Sequence, residues 1–204
     1  PELRVDTAAL EARLSAAEPG RPHLFAYPAQ SNFSGVQHPL GSIEQAHAKG
    51  WDVLLDAAAF VSSNRLDLGA VKPDFVCVSF YKMFGYPTGV GCLLVRNAAM
   101  GRLHRPWFAG GTVNFATVQG RQHVLAPREA GFEDGTCNYL SIPAVELGLA
   151  HLQRLLASGL DGLSIQQVWA RGRHLQVAPC ALAALDMALW DLRAKQAGLP
   201  LHRL

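Results

Sequence analysis

Apolar segments alternate with amphipathic segments along most of the chain. Four short apolar runs, each bounded by polar or turn-forming residues, predict buried strands: HLFAYPAQ, WDVLLDAAAF, DFVCVSF and GVGCLLVR. Three segments with apolar residues at helical spacing predict helices: TAALEARLSAAE, GSIEQAHAKG and SIPAVELGLAHLQRLL. Strands that alternate with helices in this way indicate an α/β fold with a mostly parallel sheet.

Capping and turn-forming residues set the expected ends of the first two helices. The first helix is predicted from Thr7 to Glu18, with Asp6 or Thr7 as its cap and a Pro-Gly pair as its stop. The second helix is predicted to begin with Ser42 as its cap and to end at Gly50. The polar segment SNFSGVQHPL that precedes it is expected to form a loop.

The pattern changes after residue 156. Residues 158–179 are weakly patterned, and a further predicted helix then runs to Gly198 and Pro200. Its leucines lie on one helical face: Leu182, Leu185, Leu189 and Leu192. We therefore predict two parts, residues 1–156 and residues 157–204, with the boundary in 157–178.

Composition narrows the possible functions. The 204 residues are 50% hydrophobic and 17% charged, which predicts a packed core, and the net charge of +2 with scattered cations argues against nucleic-acid binding. Apolar runs fall short of a membrane span, and the first residues lack a signal-peptide pattern. The four cysteines form no CxxC pair, so free thiols in a reducing cytoplasm are expected.

Two charged residues follow apolar strands and carry the candidate chemistry. Asp56 and Lys82 both fall at the carboxyl ends of predicted strands, where ligands bind in open α/β sheets. A lysine amine can form a Schiff base with the aldehyde of pyridoxal phosphate, and a carboxylate can keep the pyridine nitrogen of that cofactor protonated. On position alone, an aspartate that caps a turn or helix and a solvated lysine are the commoner interpretations.

The wider motifs carry a family resemblance. LLDAAAF, SFYKMFGYPTGVGCLLVRN, FAGGT and FEDGT occur in order between about residues 22 and 155. This stretch resembles the class V aminotransferase family, which includes cysteine desulfurases, and it is most similar to the sulfurase domain of molybdenum cofactor sulfurases. The resemblance implies part of a pyridoxal-phosphate-dependent large domain of fold type I, and a homodimer.

The same resemblance assigns roles to residues. Lys82 would form the Schiff base, Asp56 would face the pyridinium nitrogen, and Ser79 would bind the cofactor phosphate. Asn32 would lie near the phenolic oxygen. Thr112 matches a phosphate contact that the family supplies from the other subunit.

The sequence departs from cysteine desulfurases at several positions. Ala59 and Tyr81 stand where those enzymes commonly carry glutamine and histidine, and the Tyr81 hydroxyl could still reach the phosphate. The family's upstream phosphate loop and stacking ring, and its downstream substrate-binding arginine and persulfide cysteine, are expected to be missing. We expect Arg105 to be solvated or ion-paired, and Cys137 to act as a small hydrophobic residue.

The last 27 residues, APCALAALDMALWDLRAKQAGLPLHRL, resemble a second family. They are similar to the capping-domain helix of the mandelate racemase and muconate lactonizing enzymes. That family's catalytic barrel has no counterpart in this sequence, so Asp186, Asp191 and Lys195 are expected to form a polar helix face rather than a metal or base site.

The sequence leaves three functions open. The favoured one is pyridoxal-phosphate-dependent sulfur transfer from cysteine, with molybdenum cofactor as the acceptor that the resemblance implies. The second is a non-catalytic remnant that folds or dimerises without activity. The third, an enolase-superfamily fragment, is the least favoured.

Overall fold

The computed structural model describes residues 3–85, 88–159, 163–174, 193 and 196–198. The strands in this part are β1 Leu24–Pro28, β2 Asp52–Asp56, β3 Phe75–Ser79, β4 Gly91–Val95, β5 Val113–Ala116 and β6 His123–Leu125. The helices are α1 Thr7–Ser15, α2 Ser42–Ala48, α3 Tyr81–Phe84, α4 Asn97–Met100, α5 Pro143–Ala157 and α6 Ile165–His174. A 3-10 turn covers Arg128–Gly131.

The main sheet has the order β1-β2-β3-β4. β1, β2 and β3 run parallel, with Leu55 of β2 opposite Tyr27 of β1 and Val76 of β3. β4 runs antiparallel to β3, so that Leu94 lies opposite Val76. The predicted α/β fold with a mostly parallel sheet is therefore confirmed.

The core forms on one face of this sheet. Val53 and Leu55 of β2 are fully buried, because the central strand is covered by its neighbours and by helices. Leu14 of α1 and Ile43 of α2 pack into the same buried cluster as these valine and leucine side chains. Burying such side chains contributes about 1.5–3 kcal/mol each, which makes the β2 region the centre of stability.

The helix ends were predicted in part. Asp6 caps α1 as expected, since its carboxylate accepts hydrogen bonds from two backbone N–H groups of the first turn, each at 3.0 Å. α1 ends at Ser15 rather than Glu18. The cap predicted for α2 is wrong: Ser42 is its buried first residue, and Gly41 occupies the cap position without a side-chain bond. Gly50 follows α2 with a φ of +79°, as its role at the helix end requires.

A second sheet, the β5–β6 hairpin, was not predicted. Its strands have only four and three residues, and their register shifts between Val113 and Phe115, so neither shows a clear alternation. Large apolar side chains of the hairpin and of the loop before it are exposed, namely Trp107, Phe108, Phe115, Val118 and Val124.

The carboxyl-terminal part is described only in places. α6 continues the chain after α5, in a region without a clear predicted pattern. The predicted helix with Leu182, Leu185, Leu189 and Leu192 lies outside the described residues. Among the helices that are described, none has the length and apolar character needed to cross a membrane.

Candidate active site

Three of the predicted site residues lie at the carboxyl end of the sheet, which we define as the carboxyl ends of β1, β2 and β3. Asp56 is the last residue of β2, and Ser79 is the last residue of β3. Asn32 lies in the loop that follows β1. Because the three strands are parallel and adjacent, their ends open onto one side of the molecule.

Lys82 reaches this side from the one-turn helix α3. Its Nζ donates a hydrogen bond of 2.8 Å to Oδ1 of Asn32. This bond joins the segment after β3 to the loop after β1, across the end of β2. Gly85 ends the turn with a φ of +81°, in the left-handed region that favours glycine.

The backbone of α3 is held in place by Phe84, which is buried. Phe84 packs against α5 in a small apolar cluster with Leu155. A Cβ atom on Gly148 of α5 would lie only 2.5 Å from the Phe84 ring, so the glycine provides the space that the ring needs. The same turn starts beside β4, where a Cβ on Gly91 would lie 2.6 Å from the Val78 carbonyl oxygen. Two glycines thus permit the packing that positions Lys82.

Asp56 is exposed, and its carboxylate contributes to the raised pKa of a neighbouring thiol. One carboxylate oxygen of Asp56 accepts a hydrogen bond of 3.0 Å from the backbone N–H of Ala58. Cys77, which is opposite Asp56 in the parallel register, has its pKa raised by burial and then by the Asp56 carboxylate. Within the described residues, neither Asp56 nor Lys82 forms an ion pair.

Tyr81 and Thr112 differ in their access to a ligand. The Tyr81 side chain is exposed, and Lys82 Nζ lies 5.9 Å from its ring centroid. Thr112 is fully buried, and its hydroxyl both accepts from Ala109 N at 3.0 Å and donates to Ala109 O at 2.8 Å. A phosphate contact by Thr112 would therefore require these bonds to be exchanged, and its assigned role stays a prediction.

Other candidates of the sequence have structural partners. The side chain of Arg105 is only 7% exposed and lies 2.6 Å from a carboxylate oxygen of Asp134, so it is ion-paired. Cys77, Cys92 and Cys137 are half-buried free thiols. Burial raises the pKa of Cys92, with a further contribution from Cys77, so that both thiols of this pair favour the protonated form. Cys137 lies 3.9 Å from a carboxylate oxygen of Glu133.

Sequence reasoning missed three amide side chains beneath the Asn32 loop. Gln37 donates to Gln30 at 3.0 Å and to Asn64 at 2.9 Å. Gln30 and Gln37 stand directly before and after the SNFSGV segment. This placement is the signal in the sequence that could have indicated a contact between them. Asn64 lies 27 residues beyond Gln37, so no local pattern indicates its contact.

The donor set at the carboxyl end of the sheet fits pyridoxal phosphate. An amine, a carboxylate, a hydroxyl and an amide are the groups needed for its aldehyde, ring nitrogen, phosphate and phenolic oxygen. Lys82, Asp56, Ser79 and Asn32 carry groups of these four types in that order, and their assignment to the parts of the cofactor stays a prediction. In the described part of the chain, no group of three or more His, Cys, Asp or Glu residues is arranged to hold a metal ion.

Curated relatives share the sequence over most of this chain. Molybdenum cofactor sulfurase of Homo sapiens is 43% identical over 173 residues, which are 79% of this chain and 19% of that protein. The Danio rerio molybdenum cofactor sulfurase is 46% identical over 148 residues, 67% of this chain and 18% of the relative. The chain thus spans about a fifth of the length of these relatives.

Solved structures share the fold. The apo cysteine desulfurase of Thermococcus onnurineus NA1 aligns with a TM-score of 0.59 at 20% identity, covering 98% of this chain and 57% of that one. The cystine C-S lyase C-DES, solved in complex with cysteine persulfide, aligns with a TM-score of 0.54 at 21% identity, covering 76% and 46%. At these identities the likeness establishes the fold alone, which is that of the predicted fold type I.

Two family models match the chain. The N-terminal domain of mandelate racemase / muconate lactonizing enzyme matches residues 135–204, in agreement with the resemblance of the tail. Aminotransferase class-V matches residues 3–164, so the two matches overlap and the division at residue 156 stays a prediction. The longer match covers most of the chain, and the protein therefore belongs to the class V aminotransferase family.

Proposed function

We propose that the chain binds pyridoxal phosphate at the carboxyl end of its sheet and takes part in sulfur transfer. Lys82 would hold the aldehyde carbon, Asp56 the ring nitrogen, Ser79 the phosphate and Asn32 the phenolic oxygen. The observation that carries this proposal is the 2.8 Å bond from Lys82 Nζ to Asn32, at the strand ends that also bear Asp56 and Ser79. Tyr81 and Thr112 are further phosphate candidates.

The bound cofactor would supply an electron sink for bonds at the substrate's α-carbon. Lys82 Nζ would accept and return a proton at that carbon. Asp56, whose carboxylate has no ion-pair partner among the described residues, would keep a proton on the ring nitrogen. Asn32 would orient both the Lys82 amine and the phenolic oxygen.

Cysteine is the sulfur donor that we propose, and molybdenum cofactor is the proposed acceptor. The support is the sequence identity with proteins named molybdenum cofactor sulfurase. The raised pKa of Cys77 and Cys92 disfavours their thiolates, so neither is a good relay for sulfur.

We further propose a cytoplasmic homodimer. The apolar side chains exposed on the β5–β6 hairpin, including Phe115 and Val118, support an association surface close to Thr112. Sedimentation velocity checks the dimer: the wild-type chain should sediment as a dimer, and Val118→Asp should shift it toward the monomer. A wild-type monomer at all concentrations would contradict the proposal.

A titration with pyridoxal phosphate tests the proposed function. The wild-type chain should develop a visible absorbance band, and borohydride should fix the cofactor to the peptide that contains Lys82. Lys82→Ala should abolish both signals. Lys49→Ala is the matched control, because Lys49 pairs with Glu11 at 2.6 Å on another part of the surface, and this variant should behave as wild type.

The possible outcomes separate the alternatives. No band in the wild type would overturn cofactor binding and the catalysis that depends on it. A band without release of sulfide from cysteine in the presence of a reductant would leave a cofactor-binding but inactive chain. A band together with sulfide release, both lost in Lys82→Ala, is the result that we expect.

A further inference from the structure

Three side-chain amides form a closed triangle under the loop that carries Asn32. The Gln37 Nε2 donates to Gln30 Oε1 at 3.0 Å and to Asn64 Oδ1 at 2.9 Å. Asn64 Nδ2 donates to the same Gln30 oxygen at 3.2 Å. All three side chains are partly buried, where hydrogen bonds between fixed groups strengthen one another. The triangle, which we call the amide triangle, is therefore a rigid unit.

The amide triangle closes the base of the Asn32 loop. Gln30 and Gln37 face each other in an isolated antiparallel bridge, and just inside it Ser31 N donates to Val36 O at 2.8 Å. Asn32 lies at the exposed tip of this short loop. Its side chain has only the Lys82 contact among the described hydrogen bonds, so the loop base sets its position.

The third corner of the amide triangle belongs to the segment after β2. Asn64 ends a helical turn in which its N–H donates to Phe60 O at 2.9 Å, and Phe60 N donates to Ala57 O at 3.0 Å. Ala57 directly follows Asp56. The amide triangle thus fixes the Asn32 loop to the turn that starts at the proposed ring-nitrogen partner.

We propose that Gln37 and Asn64 are positioning residues that hold Asn32 where it accepts the hydrogen bond from Lys82. No described hydrogen bond joins the side chain of either residue to Lys82 or to the strand-end residues Asp56 and Ser79. The positions themselves come from the geometry, which links Asn32, Lys82 and the segment after Asp56 into one preorganised unit. The purpose of that unit, which is to hold the cofactor, rests on the proposed function.

Trace acetylation of lysines in the cofactor-free 204-residue chain tests this inference. Acetic anhydride labels free amines, and mass spectrometry of peptides compares Lys82 with Lys49 in the same molecule. Asn32→Ala should raise the labelling of Lys82 about fivefold relative to Lys49, the factor expected for one net hydrogen bond. Asn64→Ala and Gln37→Met should raise it about two- to fivefold, because Asn32 then moves away.

Two further variants separate positioning from general loosening. Asn64→Asp keeps the oxygen that accepts from Gln37 Nε2 but loses the amide that donates to Gln30 Oε1 and Phe60 O, so labelling should rise less than in Asn64→Ala. Ser62→Ala removes a hydroxyl whose one described hydrogen bond is to Ala59 O in the same turn, and it should leave the labelling of Lys82 unchanged.

The inference is overturned if Asn32→Ala raises Lys82 labelling while Asn64→Ala and Gln37→Met match the wild type. An equal rise at Lys82 and Lys49 in Asn64→Ala would indicate global loosening, and the Gln37→Met result then decides the question. Since no cofactor is present, this outcome is independent of the pyridoxal phosphate titration, and either proposal can fail without the other.

Discussion

The two ends of the main sheet hold charged side chains in opposite ways. At the amino end of β3, Asp74 is only 4% exposed, and its Oδ2 accepts from His47 Nε2 at 2.8 Å and from Val53 N at 2.9 Å. Arg96 and Arg102 lie 3.8 and 3.9 Å from its Oδ1. A buried carboxylate needs such partners, because an unpaired charge is costly in the interior.

At the carboxyl end, the charges are accessible and unpaired with each other in the described residues. Asp56 is exposed, and the one described hydrogen bond of its carboxylate comes from a backbone N–H, while Lys82 donates to the neutral amide of Asn32. This difference in pairing indicates that the charged side chains at the two ends of the sheet serve different purposes. The partners of Asp74 join β2, β3 and β4, whereas the groups at the other end remain available to a ligand.

The largest expected effect on stability comes from removing Asp74. Asp74→Ala leaves Arg96, His47 and the Val53 N–H without their acceptor, and we expect a loss of about 3–5 kcal/mol in the free energy of unfolding. Urea denaturation measures this loss. Glu18→Ala is the control, because Glu18 and Arg21 form an exposed pair at 2.8 Å, and it should cost less than about 1 kcal/mol. Equal losses in both variants would contradict the contrast.

A smaller loss is expected from filling the space beside Phe84. In Gly148→Ala the new Cβ would lie 2.5 Å from the Phe84 ring, and overpacking of this kind costs about 1–3 kcal/mol. Alanine's helix preference offsets about 1 kcal/mol of it, so a net loss of up to about 2 kcal/mol should appear in urea denaturation.

Gly41→Ala is the matched glycine control for this variant. A Cβ there meets nothing within 4 Å, and the φ of −61° suits alanine. Its stability should match that of the wild type or exceed it slightly. A Gly148→Ala protein as stable as Gly41→Ala would show that the Phe84 ring moves freely, and α3 would then not be fixed by α5.

Acid should remove the contribution of Asp74 to stability. Burial raises the pKa of Asp74, but the Val53 N–H, His47 and Arg96 outweigh burial and lower the pKa below its ordinary value. The resulting stability is fully present above about pH 4, the unfolded carboxyl pKa, and is lost as pH falls through the lowered folded pKa.

The measurement is the urea midpoint as a function of pH, in the wild type and in Asp74→Asn. The wild type should lose stability below about pH 4 more steeply than the variant, which lacks the titrating group. If the urea midpoints of the two proteins fell equally below about pH 4, the pH dependence would belong to other carboxylates.

The smallest effect on stability is expected at the carboxyl end. Asp56→Asn keeps the oxygen that accepts from Ala58 N and removes an exposed charge, so stability should change by less than about 0.5 kcal/mol. The same variant should bind pyridoxal phosphate more weakly if Asp56 faces the ring nitrogen. A stability loss comparable with that of Asp74→Ala would erase the distinction between the two ends.

Local pattern predicted the strands and the positions of their terminal polar residues. Each apolar run identified its strand, and Asp56 lies at a strand end as the parallel arrangement required. The Asp6 cap was predicted for a similar reason, since its two acceptor bonds involve residues two and three positions away.

Contacts between segments that are far apart in the sequence could not be predicted from the local pattern. The amide triangle brings Asn64 to Gln37, and His47 reaches Asp74 across 27 residues, so neither contact leaves a local periodic signal. The antiparallel direction of β4 was predictable in principle, because the connection from residue 80 to residue 90 is too short for a parallel crossover. The short β5–β6 hairpin lacks the alternation on which strand prediction depends.

The reversal between β3 and β4 has a consequence for the energetics of ligand capture. Lys82 lies in the loop between β3 and β4. The two ends of this loop are joined by the hydrogen bond that Phe80 N donates to Val90 O at 3.2 Å. Folding has already closed this loop, so its closure entropy does not count against binding. An aldehyde at the proposed site would therefore meet an amine in a loop that is already closed, so its binding should lose less entropy than binding to an open segment would.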